Sequence, residues 1–179
     1  MNNMLGEKTR KNLADAFAGE SMARNKYDYF ASVARKAGYV QMANIFEETA
    51  LNEKEHAKLW AKQLGYINED TAENLKAAAA GENYENTDMY PRMAREAREE
   101  GHEDIAKLFE NVAKAEKAHE TRYRKLVENL EKGEVFKKPE VKRWKCNNCG
   151  YVHEGSEAPD VCPSCLDLQA DFEVFVKTY

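Results

Sequence analysis

Two glutamate–histidine pairs, Glu53-x-x-His56 and Glu116-x-x-His119, and two cysteine pairs, Cys146-x-x-Cys149 and Cys162-x-x-Cys165, are the residues of this chain best suited to chemistry. Residues three apart share a helix face, so each Glu and His can reach one metal ion. Each Glu–His pair also interrupts an apolar stripe. Glu53 and His56 fall within Met42, Phe46, Ala50, Ala57, Trp60, Leu64. Glu116 and His119 fall within Ile105, Phe109, Val112, Tyr123, Leu126, Leu130. Two further stripes carry carboxylates at mid-length: Leu13, Phe17, Glu20, Ala23, Tyr27, Phe30, and Leu75, Ala79, Glu82, Glu85, Met89, Met93. Glu20, Glu53, Glu82, Glu85 and Glu116 thus stand where core residues belong.

Uncompensated buried ions are costly, and neighbouring carboxylates repel one another. No Lys or Arg lies on these stripes at the right level. Two divalent cations would supply the missing charge. A Glu from each of two helices with Glu-x-x-His from each of two others is the ligand pattern of ferritin-like di-iron bundles. A lone Glu-x-x-His in a helix rich in Ala, Glu and Lys is usually solvated surface. Two copies in repeat register, facing Glu20 and Glu82/Glu85, reverse that balance. Tyr27 and Tyr90 lie within two turns of a ligand on the same face. They read either as core aromatics or as hydroxyl donors that orient the carboxylates. His102 and His153 have no such company, and Met89 and Met93 read as packing.

All four cysteines lie between Cys146 and Cys165. Four thiolates in two Cys-x-x-Cys knuckles fit zinc or a single iron. In a chain without a signal-peptide segment, read as cytoplasmic, a metal site is favoured over disulfides. The net charge is -5 and no basic stripe stands out, which argues against a nucleic-acid partner. No apolar run approaches the ~20 residues that span a bilayer, so no membrane partner is expected.

The elements that must position these residues follow from composition. Residues 5 to about 132 are rich in strong helix formers. Breaks near Gly38, Gly65–Asn68 and Gly101–His102 resolve them into helices at about 5–37, 39–65, 71–100 and 103–132. Gly81 and Pro91 are expected to bend or interrupt the third. Connection 2–3 is the longest, which suits a four-helix bundle with a crossover. Shifting the chain by 63 positions matches Tyr27 with Tyr90, Arg35 with Arg98, Gly38 with Gly101, Phe46 with Phe109, Glu47 with Glu110, Glu53 with Glu116 and His56 with His119. Two similar αα-hairpins are implied. Residues 1–132 thus read as an all-α four-helix bundle, 133–143 as a linker, and 144–179 as a small metal-stapled β domain with a strand at Phe172–Val176.

Together, Glu20, Glu53-x-x-His56, Gly81-Glu82-x-Tyr84-Glu85, Glu116-x-x-His119 and the two cysteine pairs resemble the rubrerythrin family over essentially the whole chain. The tail, Cys146-Asn-Asn-Cys149-Gly-Tyr with Cys162-Pro-Ser-Cys165, resembles rubredoxin. It departs in Leu166, where rubredoxin usually has Gly, and in a shorter stretch between knuckles. The resemblance implies a ferritin-like bundle holding two irons and a rubredoxin-like site holding one, with zinc the alternative there. It implies that Glu53 and Glu116 bridge the irons, that Glu20 is terminal on one, and that Glu82 and His119 are terminal on the other. Glu85 and His56 would alternate on the first iron with its redox state. It further implies an NADH peroxidase-type oxidoreductase of oxidative-stress protection, reducing hydrogen peroxide to water, with Glu53, His56, Glu85, Tyr27 and Tyr90 at the chemistry. Electrons would come from a cytosolic rubredoxin or NAD(P)H-dependent reductase through the four-cysteine centre, in a homodimer that passes them between subunits. Two other readings remain: a ferroxidase or iron-handling protein, and a non-enzymatic helical module with a structural zinc ribbon.

Overall fold

In a computed structural model, which describes residues 5–178, the helices are α1 (Glu7–Lys36), α2 (Val40–Leu64), α3 (Thr71–Tyr84), α4 (Tyr90–Glu99) and α5 (Glu103–Glu131). A π-helical segment, Glu85–Met89, joins α3 to α4. Three strands follow: β1 (Lys137–Cys146), β2 (Val152–Glu157) and β3 (Phe172–Val174). Two compact units divide between Glu69 and Asp70. The first contains the α1–α2 hairpin, and the second contains α3–α5 and the strands. No helix among the described residues is long and apolar enough to cross a membrane.

The helical hairpins repeat down to individual bonds. Gly38 and Gly101 both turn the chain at positive φ, 85° and 87°, a conformation that costs glycine nothing. The next amides, Tyr39 and His102, donate back to Ala34 and Ala97 at 2.9 and 2.8 Å. Arg35 pairs with Glu47 at 2.7 Å, and Arg98 pairs with Glu110 at 2.7 Å. Ala31, Ala43 and Ala50 let α1 and α2 approach closely, as Ala94, Ala97 and Ala106 do in the second hairpin.

The interruption expected around Gly81 and Pro91 falls between them. Pro91 lacks the N–H that would close on the Thr87 carbonyl, and the chain there widens into a π turn, with the Tyr90 amide donating to Glu85. Side chains take up the carbonyls of the preceding turn: Asn86 donates to Glu82 and Thr87 to Asn83, each at 2.6 Å. Gly81 sits in regular helix, and a Cβ there would meet nothing within 4 Å.

The strands form a sheet of order β2-β1-β3, with both pairings antiparallel. β1 begins at Lys137, so most of the segment read as a linker is strand. Trp144, Cys146, Ala158, Cys162 and Phe172 form a small core, and the Trp144 indole donates to the Gly155 carbonyl at 3.0 Å. The two knuckles repeat each other. Gly150 N–H donates to Cys146 O, and Leu166 N–H donates to Cys162 O, each at 2.9 Å. Cys146 and Cys162 N–H donate to the carbonyls of Tyr151 and Asp167, each at 2.8 Å. Gly150 and Leu166 therefore occupy equivalent positions, and both have positive φ, 80° and 66°. Leu166 alone among described non-glycine residues adopts that region, and its 77% exposed side chain gains little from packing. Leu166→Gly is expected to stabilise the tail by about 0.5–1 kcal/mol, the left-handed cost relieved less the chain entropy that glycine adds. The shift should be read as a higher denaturant midpoint for loss of thiolate-to-metal absorbance in the loaded tail.

Candidate metal centres

On α1, one face brings Glu20 opposite Glu53 and His56 of α2. One ligand atom from each lies within 4.8 Å of the others. His56 Nδ1 is 2.8 Å from a Glu53 oxygen and 3.9 Å from Glu20. In the second hairpin, Glu82 of α3 meets Glu116 and His119 of α5 within the same 4.8 Å limit. His119 Nδ1 is 2.7 Å from Glu116 and 3.5 Å from Glu82. The imidazole nitrogen thus points between two carboxylates in both triads. Two carboxylates and one imidazole match the oxygen and nitrogen donors that iron and other divalent first-row metals accept.

An orphan oxygen marks the second triad. Glu82 Oε2 is buried without a hydrogen-bond partner. Burial, then the neighbouring Glu116, push the Glu82 carboxyl above its ordinary range. A metal ion there would take the place of the missing donor and offset the repulsion. The residues present therefore fit a metal in both triads.

Glu85 follows Glu82 by one turn and opens the π segment. It lies outside the close triad, yet its charge acts on both Glu82 and Tyr90. The Tyr90 phenol is raised above its usual range, first by burial and then by Glu85, Glu116 and Glu82. Its ring packs 6.0 Å from Phe109, as the Tyr27 ring packs 6.2 Å from Phe46. Tyr27 so far has the packing role. Tyr90 combines packing with a place in the carboxylate field.

The π turn also explains a break in the repeat. Tyr27 and Tyr90 match at a shift of 63, but Ala18-Gly19-Glu20 matches Ala80-Gly81-Glu82 at 62. One residue more separates ligand from tyrosine in the second hairpin. A π turn is the form in which a helix absorbs such an insertion.

Sequence reasoning missed Glu120, the one charged residue fully buried among those described. It accepts from Arg124 at 2.7 Å, from Lys117 and Asn86 at 3.0 Å, and from Asn83 at 3.1 Å. Asn83 follows Glu82, Asn86 follows Glu85, and Glu120 follows His119, so this carboxylate ties the ligand-bearing turns of α3 and α5 together. The only signal was its repeat counterpart, Ala57, a buried alanine.

The four cysteines of the tail also lie within 4.8 Å of one another. Sγ–Sγ separations are 3.8 Å for Cys146–Cys165 and 3.7 Å for Cys149–Cys162. A tetrahedron with metal–sulfur bonds of about 2.3 Å has edges of about 3.8 Å, whereas a disulfide needs about 2.05 Å. The backbone N–H of Tyr151 lowers the Cys149 thiol to about 7. Cys165 accepts from Asp167, but burial and the other three sulfurs push it up to about 12. One thiolate forms readily and further ones are resisted, so a cation is needed for all four.

The fold and these centres define a class: a helical protein with two carboxylate–histidine triads, followed by a four-sulfur knuckle domain. A family model described as Rubrerythrin matches residues 11–127, and one described as Rubrerythrin, rubredoxin-like domain, matches residues 144–173. The chain is 51% identical to rubrerythrin of Clostridium perfringens over 195 aligned positions covering 100% of both chains. It is 49% identical to rubrerythrin of Porphyromonas gingivalis, over 97% of this chain and 93% of that one. It is 47% identical to rubrerythrin of Nitratidesulfovibrio vulgaris, over 97% of each. The chain belongs to the rubrerythrin family, ferritin-like di-iron proteins of oxidative-stress defence.

The Glu120 carboxyl is held at about 2, against an ordinary 4.5, chiefly by Arg124 and then by Lys117. Its contribution to stability is complete above pH 4.5 and falls away as pH drops towards 2. Glu120→Gln is therefore expected to lower the melting temperature of the metal-free protein by several degrees at neutral pH. The gap to wild type should close between pH 4.5 and 2, as followed by circular dichroism.

Proposed function

We propose that this chain is a non-haem di-iron peroxidase that reduces hydrogen peroxide to water, with electrons entering through the four-cysteine centre. The observation that carries this reading is the pairing of two carboxylate–histidine triads with a four-sulfur tetrahedron in one chain. A storage or purely structural protein has no use for both. When bound, two ferrous ions supply the two electrons that, with two protons, convert H2O2 to two waters.

The chain's own residues divide the remaining work. The triads act as halves of one centre. Glu53 and Glu116, each beside its histidine, would be the shared carboxylates, with Glu20 a terminal ligand on one metal and Glu82 and His119 on the other. Glu85 stands one turn away on the irregular segment, free to join or leave as the charge of the centre changes, in exchange with His56. His56 suits that exchange because its side chain is 53% exposed, against 17% for Glu53. Tyr90 keeps its proton in the field of Glu85, Glu116 and Glu82 and offers a hydrogen bond to a carboxylate that moves. Tyr27 occupies the matching place in the first hairpin. Cys146, Cys149, Cys162 and Cys165 hold one iron, fed by a cytosolic rubredoxin or NAD(P)H-dependent reductase. The protein acts in the cytoplasm as a homodimer.

Anaerobic purification should give about three irons per chain, by the count of ligand sets, and thiolate-to-iron colour. The reduced protein should be oxidised faster by stoichiometric peroxide than by air; the reverse order would sink the peroxidase reading in favour of a ferroxidase. A colourless zinc-only protein would favour the structural module. Glu85→Ala is expected to keep two irons in the helical region while peroxide turnover slows at least tenfold. Turnover at the wild-type rate in stopped-flow assays would refute the role given to Glu85.

A further inference from the structure

We infer that the α1–α2 hairpin carries a binding site for a small organic carboxylate, in a groove that lacks the acid its repeat counterpart contains. In the second hairpin Glu120 sits in a cage of Arg124 and Lys117 from α5 and Asn83 and Asn86 from α3. The repeat shifts are 63 between α2 and α5 and 62 between the ligand turns of α1 and α3. At these shifts the cage positions become Ala61, Lys54, Ser21 and Arg24, and Glu120 itself becomes Ala57. Two cations are therefore kept, with the arginine moved from one helix to the other, while the carboxylate is lost.

A groove stands where that carboxylate would be. Ser21, Arg24, Lys54, Ala57 and Ala61 all line one cavity of about 380 Å3, within the size range of small-molecule sites. A third cation, Lys58, lines it too and is paired with Glu55 at 3.2 Å. Arg24 and Lys54 have no ion pair or hydrogen bond among the described residues. Lys117, the counterpart of Lys54, is neutralised by Glu120 at 3.0 Å. The first hairpin thus holds two uncompensated cations at the place where the second encloses an acid.

The rest of the lining sets the character of the ligand. Phe17 and Tyr66, edge to face with ring centroids 5.5 Å apart, line the same groove with Ile67. An apolar body rests against these residues while its carboxylate accepts from Arg24, Lys54 and Ser21. Hydrogen bonds between a carboxylate and a guanidinium or ammonium are among the strong ones, and the apolar wall adds burial that a bare inorganic anion cannot use. Ser21 follows Glu20, and Lys54 follows Glu53. A carboxylate held between them ties the ligand-bearing turns of α1 and α2 together, as Glu120 ties those of α3 and α5.

Sodium benzoate serves as the probe, titrated by calorimetry into the metal-loaded, full-length chain, with benzyl alcohol and inorganic phosphate as comparisons. Wild type is expected to bind benzoate with a Kd of about 1 mM or tighter. Either comparison should bind about tenfold more weakly, benzyl alcohol for want of the charge and phosphate for want of the apolar body. Arg24→Gln/Lys54→Gln should weaken benzoate about tenfold or more with metal content unchanged. Ala57→Glu supplies the acid from within, as Glu120 does, and should abolish benzoate binding; if that variant does not fold, the double variant decides. Benzoate that binds the double variant as tightly as wild type is held elsewhere, at the metals for instance, and overturns the inference. So does phosphate binding as tightly as benzoate, wild type that takes up no benzoate, or a folded Ala57→Glu chain that binds it as wild type does. The titration is independent of peroxide, so loss of the peroxidase reading would leave its result standing.

Discussion

Like charge gathered in a small volume is the constraint on which the rest of this molecule depends. Each triad sets two carboxylates against one imidazole, and the tail sets four sulfurs within tetrahedral reach. None of these groups is supplied with enough protein cations or donors to be comfortable. Glu82 keeps an unpartnered oxygen and a raised carboxyl, and Cys165 resists ionisation beside its neighbours. Glu120, on α5, is the counterexample. It is more deeply buried than Glu82, but Arg124, Lys117 and two asparagines surround it, and its carboxyl is driven far down. The contrast separates a carboxylate that the chain neutralises for itself from those left for a metal to neutralise.

Much of this could be read from residue order. The helices follow from strong helix formers punctuated by glycine, and their ends lie within a few residues of the expected ones. Glu20, Glu53, His56, Glu82, Glu116 and His119 declared themselves by interrupting apolar stripes, because a polar residue at a core position needs a partner. The start of β1 was hidden, since Lys137–Arg143 is mostly charged and shows no apolar alternation. Glu120 was hidden for the opposite reason. A Glu among Lys and Arg on a helix looks like solvated surface, and only tertiary packing makes it a clamp. The π turn was half visible: Pro91 announced an irregularity, but its position depends on which carbonyls Asn86 and Thr87 can satisfy.

Repetition is used at two scales. Two hairpins provide two triads, and two knuckles provide two pairs of sulfurs, each knuckle with the same backbone bonds. In both cases a single departure from the repeat carries information. Leu166 keeps the glycine conformation without the glycine. In the helices the departure is an added residue, with Glu85 and Glu120 accompanying it.

That added residue has an electronic consequence. A perfectly duplicated pair of hairpins would present two metals with identical surroundings, and ions so related fill and discharge alike. The dislocation between Glu82 and Tyr90 removes that degeneracy. One half gains a spare carboxylate on a softened stretch of helix, and the other does not. Metals held by these halves would meet unlike sets of carboxylates, and so would differ in how tightly they are bound.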